Sequence, residues 1–432
     1  MTSKRGLELH MADILAAPQQ SNTQARSDAA VRTLAGISTA HWVSHLYLYV
    51  LPMLFPFLKE QLGVGYIELG FALTVLAVTS ALTQAPIGYL ADHIGARKLL
   101  LAGLILGGLA LIMLGLHLTY AWLIASAMLL GLANSVYHPA DYAILSAHMD
   151  EARMGRAFAI HTFAGFLGYA MAPPVMAALV AMTAGFGALI VAGAVGPLVA
   201  LLLIVVGIPD ASAADRKVDG VAPPQQNIVT PTIIALMIFF MLLGLSQAGI
   251  GNFGLVALMN GYGASFSAAN IALTAFLGFS AIGVLAGGYL ADVTQRHGHV
   301  AAACFAVNAA IVLVIATIPL PSMLLTAAMA VAGFLSGVIA PSRDMLVRNA
   351  APPGAAGRAF GIVSTGFNLS GVFAPLLFGW IMDQNMPHWV FGAAAVFMLL
   401  TVVLALVTDG PKAGPEPPDT GADAALSRIP RG

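Results

Sequence analysis

A chain of 432 residues that is 59% hydrophobic and only 9% charged, with a formal net charge of −1, cannot cover a water-facing surface, since a soluble domain carries about 25% charged residues. It has no basic stripe of the kind nucleic acid requires, and its one cysteine, Cys304, excludes an internal disulfide and a thiol-based metal site. The bilayer is therefore its solvent.

Residues 1–30 are polar and lack the apolar core of a cleavable signal peptide. They are expected to form a disordered N-terminus, with the first apolar segment acting as an uncleaved anchor. A spanning helix needs about 20 mostly apolar residues. Twelve such segments follow: 33–58, 66–91, 97–117, 120–146, 155–182, 185–208, 231–260, 266–291, 299–319, 321–349, 355–383 and 387–408. They are referred to as spans 1 to 12. The fold class predicted is an all-α membrane protein with two six-helix bundles, 31–208 and 231–408. The polar stretch 209–230 reads as an interdomain loop, and 409–432, rich in Pro, Gly and Ala, as a disordered tail.

The two halves are copies. Gly-Tyr-Leu-Ala-Asp occurs at 88–92 and again at 288–292. Pro139 to Pro173 aligns with Pro341 to Pro375 at an offset of 202, with nine identities in 35 positions. The shared residues include Gly155 and Arg156, matched by Gly357 and Arg358. A parallel repeat in an apolar chain places a substrate path between the halves, so membrane transport is the leading expectation.

Lys and Arg mark the cytoplasmic loops. With twelve spans, Lys4, Arg5, Arg26, Arg32, Arg97, Lys98, Arg153, Arg156, Arg216, Lys217, Arg296, Arg348, Arg358, Lys412, Arg428 and Arg431 fall on one side, and only Lys59 on the other. Both termini are expected to be cytoplasmic.

Gly88, Asp92, Gly95, Arg97 and Lys98 in GYLADHIGARKLL resemble the loop 2–3 signature of the major facilitator superfamily. The second copy retains Gly288, Asp292 and Arg296. SVYHPADYAILS (135–146), with His41, Pro52 and Pro56, resembles the branch containing fosmidomycin-resistance-type permeases. The antiporter signature of many drug exporters is matched only in part by AGFLGYAMAPP (164–174). The resemblance implies twelve helices in a 6+6 arrangement in a bacterial inner membrane. It also implies that Asp92 caps span 11 and Asp292 caps span 5 when the cytoplasmic side is shut, with Arg97 holding Asp92. A carboxylate at a helix N-terminus gains about 0.3–1 kcal/mol. The bland alternative is a motif that only fixes a tight turn.

An ionisable residue inside a span costs about 2.5–3.5 kcal/mol on insertion scales and is a functional candidate by default. His41, His45, His138, Asp141 and His161 fall in one layer toward the cytoplasmic end of spans 1, 4 and 5. Histidine titrates near neutral pH, so the layer suggests proton coupling. The bland reading is helix–helix hydrogen bonding. A transition-metal site built from His41, His45, His138 and methionines such as Met237 and Met241 is a remote alternative, and no resident metal or cofactor is expected. Asp141 and Arg343 occupy equivalent positions of spans 4 and 10. They read as a cytoplasmic gate, as an anion site at Arg343, or as local pairs, with Asp344 as the partner of Arg343. Glu68 is expected to face water near Lys59. Pro139 and Pro341 are expected to kink spans 4 and 10.

No Gly-x-x-x-x-Gly-Lys-Ser/Thr loop is present, so ATP does not drive this chain from within. The expected function is secondary active transport of a small molecule, coupled to protons, with export of a toxic or anionic compound leading and uptake of an organic acid as the alternative. An embedded enzyme is the remote competitor. It would need one set of residues, whereas alternating access needs two matched halves. The expected partners are a small-molecule substrate, protons and the lipid bilayer, with the chain acting as a monomer.

Overall fold

A computed structural model describes residues 3–183, 186–211, 228–352 and 355–408, with side chains from residue 28 onward apart from 151–152 and 356–357. Among the described residues the chain is all helix and turn, without a strand. The first half comprises α1 (Ser3–Met53), α2 (Phe55–Leu62), α3 (Tyr66–Ile94), α4 (Ala96–Leu116), α5 (Tyr120–His148), α6 (Glu151–Thr183) and α7 (Gly187–Val206). The second comprises α8 (Pro231–Ala248), a π-helical turn (Gly249–Phe253), α9 (Gly254–Tyr262), α10 (Phe266–Val293), α11 (His297–Thr317), α12 (Ser322–Ala350), α13 (Ala356–Asp383) and α14 (His388–Thr408). Spans 2 to 6 are α3 to α7, span 7 is α8 through α9, and spans 8 to 12 are α10 to α14.

Among the described residues, eleven helices are long and apolar enough to cross a membrane. The first span is not among them, because Thr33, Ser38, Thr39, His41, Ser44 and His45 dilute its apolar content. Its place in the bundle makes it the twelfth. Apolar length sets the helix ends: most lie within two or three residues of the sequence expectation.

Three expectations need correction. Helix α1 runs back to Ser3, over the segment expected to be disordered; six Ala, three Leu and three Gln among residues 3–30 favour helix. Span 1 is not continuous to residue 58. It breaks at Leu54, just before Pro56, which occupies the first turn of α2 where a missing N–H costs nothing. The spans containing Pro139 and Pro341 run as continuous helices with the proline inside, since surrounding groups can satisfy the freed carbonyl. Helix α6 begins at Glu151 rather than near Gly155. The expected loop and tail lie largely outside the described residues, at 212–227 and 409–432.

Small residues set the packing. Within the first half α1 lies on α6, α3 on α5, and α4 on α5 and α7; in the second, α10 lies on α12, α11 on α14, and α8 on α13. The halves meet along two seams, α3 with α13 and α6 with α10. The contacts that fix their closure lie at the ends away from the basic loops. Thr74 Oγ1 donates to Val372 O at 2.9 Å, Asn260 Nδ2 to Tyr66 Oη at 3.0 Å, and Asn270 Nδ2 to Pro173 O at 2.9 Å. Phe55 packs on Phe253 and Phe57 on Phe266, with ring centroids 5.4 and 5.2 Å apart. These contacts hold the halves together at the far end.

Candidate functional site

Three helices of the first half bring one polar layer together. On α1, His41 and His45 stand one helical turn apart with ring centroids 4.4 Å apart. Helix α5 supplies His138 and Asp141, and α6 supplies His161. Asp141 is fully buried, and its Oδ2 lies 3.4 Å from His41 Nδ1 and 3.6 Å from His161 Nε2. His41 and His161 are also buried, at 3% and 1% exposure. Their rings stack at 3.9 Å and 27°. His138 meets His41 edge-on at 5.2 Å.

Glycine makes this packing possible. A Cβ at Gly165 would sit 2.8 Å from His41 Nε2 and from His45 Cε1, and one at Gly168 would overlap the carbonyl oxygen of Trp42. Helix α6 can therefore approach α1 only with glycine at these positions.

The layer is polar but unsatisfied. Both oxygens of Asp141, both nitrogens of His161, and Nδ1 of His41, His45 and His138 have no hydrogen-bond partner. Distances of 3.4 and 3.6 Å exceed the 2.7–2.9 Å typical of a charge-assisted hydrogen bond. A buried carboxylate in that condition requires a proton or a cation. One ligand atom each from His41, Asp141 and His161 lie within 4.8 Å of one another, close enough to surround an ion. The same three groups are also close enough for a proton to pass between neighbours. Met237 and Met241 lie on α8 of the other half, where the backbone of Met237 and Met241 packs against Gly366 of α13.

Sequence reading missed three tyrosines here. Tyr169 lies 4.2 Å from His45 and 4.7 Å from Tyr49, ring to ring. A signal was available: 41, 45 and 49 form an i, i+4, i+8 stripe, and 161, 165, 168 and 169 another. Tyr142, 45% exposed, extends the layer, 5.8 Å from the His138 ring and 6.0 Å from that of His161. It lies close enough to Asp344 of the second half for the two to interact electrostatically.

Arg343 does not pair with Asp141. Its Nε donates to Asp344 Oδ1 at 2.9 Å, and its guanidinium lies 5.1 Å from the Phe240 ring and 5.0 Å from that of Phe367. Each charge takes its partners within its own half. Lys59 is likewise not paired with Glu68. Its Nζ lies 3.7 Å from Asp383 Oδ1, whereas the Glu68 carbonyl accepts from Tyr120 Oη at 3.2 Å.

The loop motif occupies the basic end. Gly95 has φ +100°, and a Cβ there would overlap the Asp210 carboxylate. That carboxylate accepts from Arg97 N at 2.9 Å, capping α4. Lys98, Arg156, Asp292, Arg296 and Arg358 are exposed, Asp92 is half-buried, and Gly88 lies against Pro139. Gly357 begins α13 with Ala356.

Two pseudo-symmetric helical bundles that meet along two seams, with a buried polar layer in the first, define a membrane transporter. The description of the Major Facilitator Superfamily matches residues 37–253 and 236–430, and the chain belongs to that family. It is 26% identical over 287 residues to the fosmidomycin resistance protein of Escherichia coli K12, covering 64% of this chain and 68% of that one. It is 25% identical to the uncharacterized transporter YfnC of Bacillus subtilis 168, covering 64% and 70%. Among solved structures it resembles a bacterial homologue of the human lysosomal transporter Spinster, with TM-score 0.71, 14% identity, and 89% and 97% of the chains covered. It also resembles the nucleoside transporter NupG, with TM-score 0.69, 16% identity, and 88% and 98% covered. Family and fold mark a transporter and not an enzyme.

Proposed function

We propose that this chain is a proton-coupled secondary transporter that carries a small organic anion across the bacterial inner membrane, with the basic end and both termini in the cytoplasm. The observation that carries the reading is Asp141, 0% exposed between His41 and His161 without a hydrogen bond to either oxygen. A carboxyl group so placed is stable when a proton is shared in the layer, and His138, His45 and Tyr142 continue the layer from it. Arg343 supplies the anion site. A guanidinium matches a carboxylate or phosphonate in two-point fashion, and Phe240 and Phe367 hold it while Asp344 is exchanged for substrate. Proximity of Tyr142 to Asp344 links the proton layer of one half to the anion site of the other.

Export of a toxic or anionic compound is the leading direction, supported by the relative named for drug resistance. Uptake of an organic acid is the second reading. Over about a third of their lengths, the relatives include a probable L-galactonate transporter (24% identical) and a probable sulfoacetate transporter (30% identical), both named for organic anions. The chain works as a monomer, since the path lies between its own two halves.

The test is proton flux in sealed proteoliposomes carrying an interior pH dye, screened with organic anions, phosphonates and cationic drugs. An anion-dependent pH change that is lost in Asp141→Asn and His138→Gln supports the reading. Tracer movement of an anion with no proton movement refutes the coupling, and response to cationic drugs alone refutes the anion site.

A further inference from the structure

Asp383 is the last residue of α13 (Ala356–Asp383), where a carboxylate is opposed by its own helix dipole. It is nevertheless fully engaged, but with the other half of the molecule. Its Oδ1 accepts from Tyr66 N at 2.8 Å and its Oδ2 from Ile67 N at 2.8 Å. These are first-turn N–H groups of α3, which no intrahelical carbonyl can satisfy. Gly65, at the N-cap of α3, offers no side chain of its own. A Cβ there would sit 2.6 Å from Glu68 Oε2 and 2.7 Å from Asp383 Oδ2, so the glycine makes room for the foreign carboxylate beside that of Glu68. Lys59 completes the group, with Nζ 3.7 Å from Asp383 Oδ1 and 4.5 Å from the centre of the Tyr66 ring.

The second seam is built differently. Helix α10 is capped from within its own half, Ser265 accepting from Ala268 N at 3.2 Å. The seam's hydrogen bond from Asn270 to Pro173 O is neutral. The repeat offset of 202 places Ala181 where Asp383 stands in the second copy, so the first half has no matching carboxylate. Separating the halves at the far end strips α3 of its cap and leaves α10 capped.

We infer that Asp383 is a positioning residue of the transport cycle. It is a one-sided latch that holds the outer end shut by capping span 2 in trans, with Lys59 as its counter-charge. Opening to the outside therefore starts from the seam of spans 2 and 11. The inference is independent of the substrate and of proton coupling.

The experiment measures the outer gap directly. In a Cys304→Ser background, spin labels are placed at His117→Cys and Ser322→Cys, exposed positions at the far ends of the two halves. Their distance distribution is read by double electron–electron resonance on the full chain in lipid nanodiscs without substrate. Asp383→Asn keeps the shape but loses the charge. It is expected to raise the longer-distance, outward-open population relative to the closed one by about 2- to 30-fold, the range for losing a charge at a helix N-terminus. Lys59→Met, which leaves the cap in place, is expected to shift it less, in the same direction. Glu60→Gln, which removes an exposed carboxylate of α2 at the same end, is expected to leave it unchanged. Unchanged distributions in both Asp383→Asn and Lys59→Met overturn the latch. So does an equal shift in Glu60→Gln, which would mean that any charge lost at this end suffices. Should Asp383→Asn fail to fold, Lys59→Met alone decides.

Discussion

Replacing Asp141 with asparagine separates a functional carboxylate from a structural one. The site's geometry sets the magnitude. Burying an ion costs several kcal/mol after relaxation. A charge-assisted hydrogen bond would return about 1.5–3 kcal/mol, but contacts of 3.4 and 3.6 Å to His41 and His161 are too long to return that in full. Asparagine keeps the volume and drops the charge, so Asp141→Asn is expected to leave stability unchanged or raise it by about 1–3 kcal/mol. Proton-coupled flux should meanwhile fall by two orders of magnitude or more, the usual scale for removing a proton-transfer group. Thermal unfolding of the purified protein in detergent and dye-monitored proton flux in proteoliposomes measure the two quantities on one preparation. A variant destabilised by about 3 kcal/mol that still couples protons normally would refute the argument, because Asp141 would then be a packing residue held by its histidines.

Further expectations rest on single contacts. Gly168→Leu pushes a side chain into the Trp42 carbonyl and should cost at least the 1–3 kcal/mol typical of overpacking, seen as a lowered unfolding midpoint. An unchanged midpoint would mean that α1 and α6 can separate freely. Gly95→Ala meets both a left-handed φ and the Asp210 carboxylate. It should destabilise by about 1–3 kcal/mol, and Asp210→Ala in the same chain should recover part of the loss. Arg343→Lys keeps the charge but loses the planar fork lying against Phe240 and Phe367. It should raise the KM for an anionic substrate about tenfold with little change in expression, and a KM equal to the parent's would remove Arg343 from the anion site.

Much of the architecture could be read from the chain alone. Span ends such as Tyr66, Pro231 and Phe266 follow from where apolar runs stop, and the repeated Gly-Tyr-Leu-Ala-Asp reports the duplication. Membrane insertion depends on the summed transfer energy of consecutive residues, and loop charge is a property of each residue, so neither requires a partner. The histidine layer was legible in part for the same reason: an ionisable group in a span stands out wherever its neighbours lie. What pairs with what depends on helix rotation and on which end of the molecule is shut, and these arise only when twelve helices pack. Equivalence under the repeat suggested that Asp141 meets Arg343; packing gave Asp141 to His41 and His161, and Arg343 to Asp344. Hydropathy placed Lys59 near Glu68, but the seam between α3 and α13 gave it to Asp383, 324 positions along the chain. That separation is why no local pattern announces the latch: the N–H groups it satisfies belong to a helix end that the other half of the molecule must reach.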